Sequence, residues 1–161
     1  MKTLFILRHA KSSSKYPELS DRQRPLNKRG QLQAPLVGQY VRSFDLTPDL
    51  ILSSPARRAR ETAIAVANEC GYDGEVDFVE SFYPGDPEDY IDVLRDLPDA
   101  AERVMVVGHN PGLECLLAGF LRYAETLPTA MLAHVELNVH HWWELCDDTR
   151  GKLVRLWRPE V

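Results

Sequence analysis

Two short stretches in this 161-residue chain place an imidazole directly after an apolar run: Leu4-Phe5-Ile6-Leu7-Arg8-His9 and Arg103-Val-Met-Val-Val-Gly108-His109-Asn110-Pro111-Gly112. A third apolar run, Leu50-Ile-Leu-Ser-Ser54-Pro55, is followed within a few residues by Arg57, Arg58 and Arg60. Histidine supplies a nucleophile or proton carrier near neutral pH. Arginine supplies a planar fork of donors suited to oxyanions. Basic residues early in a helix oppose its dipole, so Arg57 and Arg58 need a compensating partner. If the three runs are neighbouring parallel strands, their carboxyl ends open on one edge of a sheet, where ligands of α/β folds bind. Two histidines and several arginines beside two helix N-termini then make an anion site, with phosphate the natural occupant.

The elements that must position these residues follow from periodicity. Residues 4–8 read as a buried strand, followed by a polar loop to about residue 26. Asn27 is a fitting cap for a helix whose apolar positions are Leu32, Leu36, Val37, Tyr40 and Val41. Residues 50–54 form a second strand, with Ser54 as cap and Pro55 in the first turn of a helix running to about Cys70. A short strand over 76–79 precedes a helix opened by Pro87 and closed by Pro98; the strand 103–108 precedes a Leu-rich helix opened by Pro111. In the tail, MLAHVELNV (131–139), HWWELC (141–146) and KLVRLW (152–157) alternate or run apolar, and Asp148–Gly151 reads as a hairpin turn between the last two. Strands alternating with helices imply parallel pairing, and the tail implies an antiparallel edge. The expected fold is therefore α/β and three-layered: a mostly parallel central sheet, helices on both faces and an antiparallel C-terminal edge. Residues 1–161 read as one domain.

Composition narrows the function. A net charge of -5 gives no global field for nucleic acid or anionic lipid, so any anion site is a local cluster. Three widely spaced cysteines, Cys70, Cys115 and Cys146, without a CxxC pair, fit a reducing compartment better than a disulfide framework or structural zinc. Apolar runs are too short for a signal-peptide core or a membrane span, and the expected location is cytoplasmic. His134, His140 and His141 are expected on tail strands, where adjacent histidines point to opposite faces and make a poor metal site. Cys115 is expected to pack as a small hydrophobe.

Arg8-His9, Ser54-Pro55-x-x-Arg58-Ala59-x-x-Thr62 and Gly108-His109, taken in order, resemble the histidine phosphatase superfamily, whose fold is phosphoglycerate-mutase-like. RHAKS, Asp21…Arg24-Pro25-Leu26-Asn27…Gly30 and GHNPG are similar to its short SixA-type phosphohistidine phosphatase branch. The resemblance spans nearly the whole chain. It departs at Ala10, where most of the superfamily has glycine, a change small enough for the loop to tolerate.

The resemblance implies that His9 is the nucleophile and forms a covalent phosphohistidine. It implies that Arg8 and Arg58 clamp the phosphate with a protonated His109 and that no metal or cofactor is needed; Arg24 is a candidate further phosphate contact, in a loop that could equally place it in solvent. Lys11 and Ser12 lie near enough to contribute. Glu80 occupies the position where the superfamily often has a carboxylic acid; Asp86 competes, and an imidazole leaving group with a pKa of roughly 6.5 could dispense with either. The stretch from Glu80 to Arg103 has room for one short helix rather than a large cap. The reading favoured is hydrolysis of protein phosphohistidine. Its alternatives are a phosphatase of a small phosphorylated metabolite and a catalytically silent phosphate-binding module. The expected partner is a histidine-phosphorylated protein or small phosphorylated substrate, with neither nucleic acid nor membrane.

Overall fold

The computed structural model describes residues 1–161. Its six strands are β1 (Lys2–Arg8), β2 (Leu50–Ser53), β3 (Asp77–Phe78), β4 (Arg103–Gly108), β5 (Leu132–Leu137) and β6 (Gly151–Trp157). They form one sheet in the order β3-β2-β4-β1-β5-β6. The first four run parallel, and β5 is antiparallel to both of its neighbours, β1 and β6. The four helices are α1 (Lys28–Ser43), α2 (Arg57–Cys70), α3 (Pro87–Arg95) and α4 (Gly112–Leu121).

Central strands read as unbroken apolar runs because both faces of the sheet are covered. Leu4 and Ile6 of β1 point into one core with Val104 and Val106, beneath Leu94 of α3 and Leu113, Leu117 and Phe120 of α4. Phe5 and Leu7 point into the other with Met105 and Val107, beneath Val37 and Val41 of α1 and Ala59, Ala63 and Val66 of α2. Alternation along each strand thus divides the apolar residues between two helical layers.

The expected three-layer α/β architecture with its antiparallel edge is the one observed, but four local expectations change. In α1 the buried face is Gln33, Ala34, Val37, Gly38 and Val41, while Leu32 is exposed. α1 packs close to α2, and small residues rather than the largest apolar ones define the contact. HWWELC is not a strand: Trp142–Glu144 is a 3-10 turn inside the β5–β6 connection, so the tail has two strands and His140 and His141 lie on neither. Trp142 is buried and donates its indole N–H to the Ala101 carbonyl, whereas Trp143 is exposed. Cys115 is exposed, on the outer side of α4.

Strand register brings the chemistry together. Arg8 pairs with Gly108 across β1 and β4, and Ser53 pairs with Val107 across β2 and β4. His9, His109 and Ser54, the next residue on each strand, therefore emerge side by side. The His9 and Ser54 amides continue the ladder to the Gly108 and Val107 carbonyls.

Candidate active site

At this edge Arg8, His9, Lys11, Ser12, Arg24, Arg58, His109, Asn110 and Thr129 line a pocket of about 260 Å³ that contains no hydrophobic residue. His9 and His109 are each 6% exposed, and their ring centroids are 5.2 Å apart. His9 Nδ1 lies 2.7 Å from the Ala10 carbonyl oxygen. That oxygen can only accept, so the proton is on Nδ1. The lone pair is then on Nε2, which receives the Arg58 Nε–H at 3.4 Å. Burial, together with the cationic groups around it, lowers the His9 pKa to about 3, so the ring is a neutral base at pH 7.

The loop bearing His9 is held from two sides. The Ala10 amide donates to Thr62 Oγ1 at 3.0 Å, and the Thr62 hydroxyl donates to the Arg58 carbonyl at 2.7 Å. Asn27 caps α1 by accepting the Gly30 amide, while its own amide donates to the Lys11 carbonyl. Gly30 permits this approach, because a Cβ there would sit 2.1 Å from the Lys11 oxygen. The Ala10 methyl packs with Leu26, Ala34 and Ala130, which explains why this loop accepts alanine.

Arg58 is buried in the first turn of α2. Its two terminal nitrogens donate to the Asp21 carbonyl at 2.7 Å and the Asp21 carboxylate at 3.0 Å. Asp21 is the compensating partner that a basic helix start requires. It also accepts from Tyr83 Oη and Arg24 Nη1. The Tyr83 hydrogen bond, followed by the Arg58 and Arg24 contacts, lowers the Asp21 pKa to about 2 against the opposing effect of desolvation. Arg24 further donates to the Ser13 carbonyl and the Ser12 hydroxyl, so the strap from Ser12 to Leu26 holds it at the pocket wall. Arg8 donates one bond to the Leu127 carbonyl, and its Nε is buried without a partner.

Ser54 does not cap α2, whose N-cap is Ala56. Its hydroxyl accepts the Ala56 amide and faces His109 Nε2 at 2.7 Å. His109 Nδ1 is buried without a partner. Burial first, then Arg58, lowers the His109 pKa to about 4 despite the opposing pull of Asp21. The expected cation at this position is therefore a neutral ring at pH 7 in the free protein.

Glu80 is not among the residues brought together. It lies in a 3-10 turn outside the pocket, ion-paired with Arg22 at 2.5 Å, and that pair holds its carboxyl below the usual range. Asp86 closes a capping box with Asp89 at the start of α3. Sequence reasoning passed over Asn110 and Thr129 as site residues. Asn110 adjoins His109 and had a visible signal; Thr129 lies in the α4–β5 connection, where nothing in the local sequence marks it.

The family model for the histidine phosphatase superfamily (branch 1) matches residues 4–82, which include Arg8-His9 and Arg58. An uncharacterized protein of Mycobacterium tuberculosis is 32% identical over 148 residues, covering 84% of this chain and 89% of its own length. The chain belongs to the histidine phosphatase superfamily. An uncharacterized chloroplastic protein of Arabidopsis thaliana is 35% identical over 142 residues, and the match covers 80% of this chain and 65% of that protein's length. The superfamily fold is seen in a candidate SixA phosphohistidine phosphatase from Agrobacterium tumefaciens, with 27% identity, a TM-score of 0.81 and 99% of both chains covered. A protein histidine phosphatase SixA complexed with tungstate superposes with a TM-score of 0.83 at 21% identity, covering 97% of this chain and 96% of the other. The fold is thus phosphoglycerate-mutase-like, and the resemblance to the SixA-type branch holds. No helix is long and apolar enough to cross a membrane.

Proposed function

We propose that the protein hydrolyses phosphohistidine on a protein substrate, with His9 as the nucleophile. The observation that carries this reading is the state of His9: neutral, its Nδ1–H tied to the Ala10 carbonyl and its Nε2 lone pair beside Arg58 in a wholly polar pocket. Nε2 attacks phosphorus of a phosphohistidine whose far ring nitrogen is protonated, and the P–N bond breaks with its electron pair leaving on what is then a neutral imidazole. Water then attacks phosphorus, releasing inorganic phosphate and restoring neutral His9. Arg8, Arg24 and Arg58 hold the non-bridging oxygens, where positioning and charge stabilisation supply most of the catalysis. His109 is a neutral donor that gains proton affinity as the phosphate dianion approaches. The arginines carry the charge compensation that a metal supplies elsewhere, so activity should survive EDTA.

Two features support phosphohistidine over an ester. The pocket lining includes no carboxylic acid. A phosphohistidine ring that brings its own proton on the far nitrogen leaves as neutral imidazole, conjugate-acid pKa roughly 6.5, and needs no acid from the enzyme, whereas an alkoxide has a conjugate acid nearer roughly 15.7. Between Glu80 and Arg103 the one α-helix is the nine-residue α3, which packs on α4, and the segment sets Tyr83 beside His109; so short a segment favours a site open to a protein-borne phosphohistidine. Three free thiols fit a reducing compartment such as the cytoplasm.

The test is phosphate release from a histidine-phosphorylated carrier protein, wild type beside His9→Ala, with EDTA present. Release by the wild type that the variant abolishes supports the reading. An inert carrier alongside rapid turnover of sugar phosphates would assign a small metabolite instead. Phosphate binding without turnover of either would leave a silent binding module.

A further inference from the structure

Charge is strongly segregated in this molecule. Residues 8–29 and 57–61 carry ten Lys and Arg against three Asp and Glu, whereas residues 73–102 carry eleven Asp and Glu against one Arg, in a chain of net charge -5. Folding gathers the basic segments around one mouth, because the loop after β1 and the first turn of α2 both border the pocket. Arg8, Lys11, Arg24 and Arg58 line the pocket itself. The remaining cations lie outside it. Lys15, Lys28 and Arg29 line a hollow on one side of the Ser12–Leu26 strap, with Tyr16. Arg22 and Arg60 line a second hollow, with Leu19. Arg57 borders both hollows, and Ser13 and Pro25 of the first adjoin Ser12 and Arg24 of the pocket.

Internal pairing does not consume this charge. Arg22 and Arg57 pair with Glu80 and Glu61, but Lys15, Lys28 and Arg60 are exposed with no carboxylate at ion-pairing distance. A phosphoryl group is already met by the arginines and histidines of the pocket, so the outer cations have no part in the chemistry.

We propose that this basic rim docks an acidic protein surface, making the substrate a phosphorylated side chain carried on an acidic protein. The inference rests on the phosphohistidine reading above and adds the character of the partner. Complementary charge steers encounter and rejects partners of like sign. The effect is local, because screening falls off over about 8 Å at physiological salt. A second acidic surface would be repelled by residues 73–102, which orients a partner over the strap. A nucleic acid strand would need a series of stacking aromatics, and the hollows offer Tyr16 alone.

The test compares wild type with the triple variant Lys15→Glu/Lys28→Glu/Arg60→Glu, three exposed positions outside the pocket. The probes are phosphoramidate, a small P–N substrate, and a histidine-phosphorylated, strongly acidic carrier domain. The expected result is a fall of about tenfold or more in kcat/KM for the carrier, chiefly through KM, with phosphoramidate turnover held within about twofold. The neutral set Lys15→Gln/Lys28→Gln/Arg60→Gln should lie between. Unchanged carrier kinetics overturn the docking rim, and so does a parallel loss of phosphoramidate turnover. If wild type cleaves phosphoramidate but leaves the carrier intact, the protein-substrate reading fails by itself. The rim is then judged by titrating His9→Ala, with and without the three reversals, against fluorescent carrier. Binding that the reversals abolish upholds the rim; equal binding, none, or stronger binding to single-stranded DNA overturns it.

Discussion

At the residue scale, the site depends on which nitrogen of His9 carries the proton. Removing the nucleophile should lower turnover by ~10⁴-fold or more, read as phosphate release, and should abolish the alkali-stable phosphoenzyme that a rapid basic quench traps. Because free His9 is neutral down to about pH 3, kcat/KM corrected for substrate ionisation should show no acid limb near pH 6.5. A limb there would mean that His9 titrates as an ordinary histidine. Arg58 donates from three nitrogens to His9 and Asp21. A lysine there has one charged nitrogen and cannot reproduce the fork, so Arg58→Lys should lose ~10²-fold in kcat/KM.

At the scale of elements, the nucleophile is held by a joint between the β1 loop, α1 and α2 rather than by any one of them. Gly30 marks the point where α1 meets the Lys11 backbone. In Gly30→Ala the methyl group meets a carbonyl, which cannot rotate away as a side chain would. Overpacking of this kind typically costs about 1–3 kcal/mol, and here it displaces the loop carrying His9. Urea unfolding should show that loss, and activity should fall at temperatures where the variant remains folded. The strap makes a separate contribution through Asp21. Asp21→Asn keeps one acceptor oxygen but removes the charge facing Arg58 and Arg24, and should raise KM for phosphoramidate about tenfold. An unchanged KM would show that the strap does not set the clamp.

At the scale of the whole molecule, burying two neutral histidines and hydrogen-bonding one exposed, ionised carboxylate makes stability depend on pH in two separate windows. The folded pKa values of His9 and His109, about 3 and about 4, lie below their ordinary 6.5, so the unfolded chain binds more protons between those limits. Stability is then complete above pH 6.5 and declines as pH falls, by about 2 kcal/mol from His9 alone at pH 5. Asp21, lowered to about 2, loses its contribution only below its ordinary 3.8. Thermal melts of His9→Asn/His109→Asn should therefore depend less on pH between 6.5 and 4 than those of wild type. Parallel slopes would show that other groups dominate acid sensitivity.

Local sequence was enough for the strands of the sheet, though not to exclude one at HWWELC, for the helices following them, and for the pairing of Arg8 with His9 and Gly108 with His109. Periodicity and residue type act over a few residues and survive into any fold that buries the apolar runs. The SixA-like order of motifs was equally legible, since it is a matter of sequence alone. What local sequence could not disclose is which distant groups meet at the site. That Ser54 faces His109 instead of capping α2 depends on β2 and β4 being neighbours in a fixed register. That Asp21 holds Arg58 while Glu80 is drawn to Arg22 depends on how the strap folds over α2. Thr129 joins the pocket only because β5 returns beside β1. Each is a contact between residues far apart in the chain, set by packing of the whole sheet and its layers, and the charge state of both histidines follows from the burial that this packing creates.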